Sequence, residues 1–244
     1  MRVADSDNTT TIDLGIDTAG DAASLALLRG DEVIAERAWH VESTMSRELL
    51  ANIEALLADA GVVRTDIASI AVATGPGTYG ALRTGIATAQ GLALALDVPL
   101  AGVGRLEAEA ALHLASLPRR HAVVAVHDAG RAGIAWAAYT QDAAGDPPRC
   151  TIEPSITAVE EVVRAAPSPA TWCGEVNEAL REALDAARDA GLRSGDTGAE
   201  APSGGRAAAL VRIARARHAY GDPALVDAFY LRPPSITRAK PREV

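Results

Sequence analysis

Apolar and polar residues alternate strictly near the start of the chain, where Ile12, Leu14 and Ile16 interleave with Asp13, Gly15 and Asp17. A period of two marks a β-strand, here predicted over residues 11–18. Ala19-Gly20-Asp21 turns the chain into a second strand over 22–28, and Arg29-Gly30-Asp31 into a third over 32–39, which makes an antiparallel meander. The period then changes. Leu49, Leu50, Ile53, Leu56 and Leu57 recur at helical spacing and predict a helix over 44–60 that stops at Gly61, with Ser43 or Ser46 as its cap. A short buried strand, Ile67–Ala73, is ended by Gly75-Pro76-Gly77-Thr78, which opens a helix over Tyr79–Leu96. A strand over 98–103 follows.

The 79–96 helix has two non-polar sides. Gly80, Thr84, Ala87, Thr88, Gly91 and Ala95 line one, and all are small. Leu82, Ile86, Ala89, Ala93 and Leu96 line the other, with Tyr79 at its edge and Arg83 and Gln90 between the two sides. The large-residue side suits a sheet core, and each side requires a cover. The small side admits close approach, either by a second helix or by this chain's own sheet.

The second half repeats the first in weaker form. Strands are predicted over 121–127, 133–140 and 149–155, a helix over 158–165, a short strand over 171–173 and a helix over 176–190. Strand-strand-strand-helix-strand-helix thus occurs twice, which resembles the duplicated ribonuclease-H-like α/β fold of actin, Hsp70 and sugar kinases. Those proteins place a nucleotide between the halves. The expected organisation is a first mixed-sheet subdomain over 1–104 and a second, smaller one over 105–205. Residues 193–205 read as a linker, a helix over 206–220 is expected to pack back on the first subdomain, and 235–244 form a flexible tail.

Composition narrows the function classes. Aromatics make up only 3% of the 244 residues, so the core must be built from Ala, Val, Leu and Ile. A formal charge of −9 argues against a broad nonspecific nucleic-acid surface. Cys150 and Cys173 lack metal or redox spacing and are expected to be buried thiols in a reducing compartment. The polar start of the chain and the lack of a long apolar run imply no membrane association and a cytoplasmic location.

Several residues are candidates for chemistry. A glycine-rich loop before a helix suggests anion contact, which makes Asp17, Gly75, Gly77 and Thr78 a weak nucleotide or anion set. The loop has no Walker lysine, the only lysine being Lys240, and no acid follows at dinucleotide spacing. Helix packing is the plainer use of that loop. Asp13 and Asp17 share one side of a strand, either as a magnesium pair or with Asp17 capping the next turn. Ser24, Ser43, Ser46 and Thr78 have no nucleophile elbow around them. His121 and His127 on one strand face read as singly packed residues.

Taken together, Ile16-Asp17-Thr18, Gly75-Pro76-Gly77-Thr78-Tyr79 with Leu82-Arg83 and Gly85, Ala89-Gln90-Gly91, Gly102-Val103, Asp128-Ala129 and Tyr230-Leu231-Arg232 resemble the TsaB (YeaZ) family. Thr78-Tyr79-Gly80-Ala81, Thr84 and Gly130-Arg131-Ala132-Gly133 depart from its usual pattern. The resemblance implies a noncatalytic scaffold for a TsaD-like catalytic subunit in threonylcarbamoyladenosine modification of tRNA. It further implies a TsaE-like ATPase in the assembly, a homodimer when alone and only indirect tRNA contact. No cofactor is expected on the chain itself, with ATP or ADP bound only within the complex. TsaD-like subunits carry a metal-binding His-x-x-x-His after the strand ending near Val103; here Arg105-Leu106-Glu107-Ala108-Glu109 stands instead. The partner interface is expected on Leu49, Ile53, Leu56, Thr78, Tyr79, Gly80, Arg83, Thr84, Ala87, Thr88 and Gly91. The alternative is an autonomous ATP-dependent small-molecule kinase or ATPase of the actin-like superfamily.

Overall fold

The computed structural model describes residues 11–20, 22–42, 44–191 and 205–232. The first half runs β1 (Ile12–Asp17), β2 (Ala22–Arg29), β3 (Glu32–His40), α1 (Met45–Asp59), β4 (Ile67–Ala73), α2 (Tyr79–Leu96), β5 (Leu100–Val103) and α3 (Arg105–Leu114). The second runs β6 (Ala122–Asp128), β7 (Ile134–Thr140), β8 (Arg149–Thr157), α4 (Val159–Ala165), β9 (Ala170–Gly174) and α5 (Glu178–Asp189), and α6 (Gly205–Ala216) is the last α-helix among the described residues. Two mixed sheets result, ordered β3-β2-β1-β4-β5 and β8-β7-β6-β9. In each, the first strand pairs antiparallel with the second and parallel with the strand after the first helix. This is the duplicated ribonuclease-H-like α/β fold. Ser43, residues 193–204 and the 235–244 tail lie outside the described residues.

The period-two pattern sorts the first sheet into two cores. Leu14, Ile16, Leu25 and Leu27 pack under α1 and α2. Ala26, Leu28, Ala71 and Ala101 on the opposite face meet α6. Gly15 shows how closely α6 approaches, since a Cβ there would overlap the Ala207 carbonyl. The second sheet packs α4 and α5 on one face through Val162, Leu180 and Leu184, and α3 on the other through Leu106, Ala110 and Leu114. Helices α3 and α6 lie against each other between the two halves.

Three local expectations change. Helix α3 has no continuous apolar stripe to announce it, because Arg105, Glu107 and Glu109 are buried within it. The cap residue of α1 is Thr44, without a side-chain bond, so Ser46 lies inside the first turn and does not cap it. Cys173 is buried as expected, but Cys150 is only half-buried.

Candidate functional site

The outer side of α2 is open. Gly80, Ala87, Gly91 and Ala95 are exposed, Thr84 and Thr88 are half-buried, and a Cβ added to Gly80 or Gly91 would meet nothing within 4 Å. The inner side, Leu82, Ile86, Ala89 and Ala93, is buried. The small side therefore does not pack on this chain's own sheet, which resolves the choice that the sequence left open. Thr84 Oγ1 donates to the Gly80 carbonyl at 2.9 Å, so its hydroxyl is satisfied within the helix. The result is a smooth surface bordered by Leu94, which is 68% exposed.

On α1 the structure corrects the sequence reading. Leu49, Ile53 and Leu56 are 0%, 4% and 1% exposed and belong to the core beneath the helix. They cannot touch a partner without unfolding the first half. The outward residues of α1 are Ser46, Arg47, Leu50, Ala51, Glu54, Ala58 and Asp59, of which Leu50 is the large apolar one. The helical period was legible, but its phase relative to the sheet was not.

The Gly75–Gly77 loop is shaped by packing. Gly75 has a φ of 117°, its carbonyl accepts the Arg105 N–H at 2.8 Å, and a Cβ on it would press on the Phe229 carbonyl. A Cβ on Gly77 would overlap the Ala19 carbonyl. Both glycines are thus required for chain-to-chain approach. Thr78 is the N-cap of α2 and makes no side-chain cap bond. Gly77 and Thr78 line a cleft of roughly 460 Å³ together with His127, Asp128, Glu175 and Tyr230.

Asp17 does not join them there. It is 1% exposed, its Oδ1 accepts the Ala19 N–H at 2.9 Å, and its Oδ2 accepts from Arg206 Nε at 2.6 Å. Arg206 also donates to Glu109 at 3.3 Å and to the Ala22 carbonyl at 3.2 Å. Asp13 accepts from Ser69 at 2.6 Å and pairs with Arg215. Both carboxylates of the supposed magnesium pair therefore face α6 and its arginines; Asp17 caps the turn, and both of its oxygens are engaged inside the chain, away from the anion contact expected of it. Burial works against the charge of Arg206, but Asp17 and Glu109 outweigh it and raise its pKa.

Arg105 fills the space beside the β1–β2 turn. Its Nη1 donates to the Ala19 carbonyl at 3.3 Å and lies 2.7 Å from His127 Nδ1, and its Nη2 pairs with Glu175. A Cβ on Gly20 would come within 2.9 Å of that guanidinium. Burial alone would raise the Glu175 carboxyl, but the His127 hydrogen bond and the Arg105 charge hold it well below the usual carboxylate range. The region between the halves thus contains cations already matched to acids. No group of three or more His, Cys, Asp or Glu side chains that could hold a metal occurs among the described residues. Sequence reasoning missed Arg206 and Glu175, whose partners lie 189 and 70 residues away.

The fold and these paired interior charges define a duplicated ribonuclease-H-like protein that presents an open helix face. The family model described as "TsaD: tRNA N6-adenosine threonylcarbamoyltransferase" matches residues 40–169, just over half of the chain, which therefore belongs to that family and, within it, to the TsaB/YeaZ group. The chain is 39% identical over 98 residues to the Bacillus subtilis tRNA threonylcarbamoyladenosine biosynthesis protein TsaB, covering 40% of this chain and 43% of that one. The Escherichia coli protein of the same name is 35% identical over 137 residues, 54% of this chain and 56% of that one. The matched part thus spans about half the length of these relatives. YeaZ from Pseudomonas aeruginosa shares the fold at a TM-score of 0.72 and 23% identity, over 91% of this chain and all of that one. No helix among the described residues is long and apolar enough to cross a membrane.

Proposed function

We propose that this chain is a scaffold subunit in bacterial tRNA threonylcarbamoyladenosine biosynthesis, the pathway named for its TsaB relatives. It has no reaction centre of its own and pairs with a TsaD-like catalytic subunit through the exposed sides of α1 and α2. One observation carries the reading: the Gly80–Gly91 side of α2 is open, smooth and supported from beneath by a buried core. A helix face that requires a cover, on a chain whose interior acids are already paired, fits a binding partner better than an enzyme. In the absence of the catalytic subunit the same face pairs with a second copy. A TsaE-like ATPase and any nucleotide join only the assembled complex, and tRNA is held through the catalytic subunit.

An autonomous kinase or ATPase of this fold needs a free carboxylate near the phosphates, and Asp17 is engaged by Arg206. Reconstitution tests the proposal. A TsaD-like subunit supplied with its small-molecule substrates and tRNA should gain threonylcarbamoyladenosine formation on addition of this chain, which alone should form none. Undiminished product without the chain, or product from the chain alone, would contradict it.

A further inference from the structure

The chain has eight aromatic residues, three Trp, four Tyr and one Phe. Three of them, Tyr79, Phe229 and Tyr230, gather at the N-terminal end of α2, with Tyr79 46% and Phe229 47% exposed. They are firmly held. The segment after α6 crosses the first sheet's edge through the Leu100–Gly221 bridge. Gln90 Nε2 then donates to the Pro223 and Val226 carbonyls at 3.0 and 2.9 Å, and the Phe229 N–H donates to the Thr74 carbonyl at 2.8 Å. Tyr230 is thereby stacked on Tyr79, ring centres 5.3 Å apart. Arg83 lies over the Tyr79 ring at 4.9 Å and donates from Nε to the Tyr230 hydroxyl at 3.1 Å.

Arg83 is the only charged residue in α2. Its Nε and one face of its guanidinium are engaged, and its two terminal nitrogens have no ion pair within 4 Å among the described residues. That leaves a pre-oriented two-pronged donor, the geometry that binds a carboxylate side chain end-on. Rigid Tyr and Arg side chains beside a smooth apolar surface have the composition of an interface anchor. We infer that the Tyr79–Arg83–Tyr230 cluster, with Phe229, anchors the partner at the N-terminal end of the α2 face, Arg83 taking a carboxylate that the TsaD-like subunit presents among apolar side chains. This rests on the reading of α2 as the partner face and extends it to the C-terminal segment, which that reading did not include. The nearby Asp227 charge also favours the Arg83 cation, but from beyond ion-pair distance, so the two terminal nitrogens remain to take a protein carboxylate at close range, which a purely apolar partner would not supply.

Titration calorimetry of the full chain against a TsaD-like subunit tests the inference. Arg83→Ala and Tyr230→Ala should each weaken the dissociation constant at least about tenfold, with less than additive loss in the double variant. Arg83→Lys should behave like Arg83→Ala, because it keeps the charge but not the fork. Thermal unfolding of each variant establishes that the fold is retained. If the unaltered chain binds, Ala87→Trp abolishes binding, and Arg83→Ala and Tyr230→Ala stay within twofold, the anchor is refuted while the α2 face stands. Full affinity in Arg83→Lys would refute the carboxylate fork. No binding by the unaltered chain would overturn the face reading and this inference with it.

Discussion

Asp17→Ala separates a structural carboxylate from a catalytic one. Asp17 is the end of β1 and offers one oxygen to Arg206 at 2.6 Å and the other to the Ala19 N–H at 2.9 Å. Removing it strands a buried guanidinium, a change that costs about 3–5 kcal/mol when one partner of a buried pair is deleted. Glu109 still faces Arg206 at 3.3 Å, which moves the expected loss to the low end, about 3 kcal/mol. For a chain of this size each kcal/mol lowers the unfolding midpoint by about 2–4 °C, so a drop of roughly 6–12 °C should appear by circular dichroism. Arg206→Ala should cost more, because it leaves both Asp17 and Glu109 uncompensated in the interior. ATP turnover, measured in parallel, should be absent before and after the change. Unchanged or increased stability in Asp17→Ala, with loss of an ATPase activity, would refute the reasoning, since functional carboxylates are held under strain and structural ones are not.

Other consequences are quicker to check. Leu49→Ala should destabilise by about 2–5 kcal/mol, whereas Leu50→Ala, one residue away and 51% exposed, should stay within about 0.5 kcal/mol, both read by urea denaturation. Glu175 is ionised more readily in the folded chain than in the unfolded one, so its stabilisation is complete above its ordinary pKa of 4.5 and is lost as pH falls from there toward the depressed folded value. Glu175→Gln should therefore flatten the acid limb of the stability–pH curve; an unchanged slope below pH 4.5 would contradict the pairing. Gly85→Ala would push a Cβ into Thr18 Oγ1, which donates to the Ala81 carbonyl at 2.9 Å. Its overpacking cost of about 1–3 kcal/mol should outweigh the helix-propensity gain of about 1 kcal/mol, giving a lower unfolding midpoint.

The elements that the sequence made legible are those with one dominant period or a bounded apolar run. β1 carries strict alternation, β2 and β4 are apolar runs bounded by turn residues, α2 carries a helical stripe, and the repeat of their order in β6 to β9 exposed the duplication. α3 was hidden because it buries Arg105, Glu107 and Glu109 against Glu175, Arg206 and Arg217, and charge inside a core breaks the apolar pattern. The same long-range pairing hid the real role of Asp17, whose partner arrives 189 residues later. On α1 the five leucine and isoleucine positions gave the helix but not which of them turn inward: Leu49 and Leu50 are adjacent, and only the sheet beneath decides. The small side of α2 was visible because glycine, alanine and threonine at helical spacing have few other uses. Its aromatic border was not, since Tyr230 reaches Tyr79 only by way of the Gln90 and Thr74 contacts.

The central claim is that the outer side of α2 meets a partner, and Ala87→Trp with a TsaD-like subunit on a sizing column measures it most directly. Ala87 is exposed and part of an open surface, so an indole there should cost no more than the helix-propensity difference, about 0.7 kcal/mol or less, and leave the unfolding midpoint within a few degrees. The unaltered chain should co-elute with the TsaD-like subunit, and the folded variant should elute alone. Co-elution of the folded variant, undiminished, would contradict the claim.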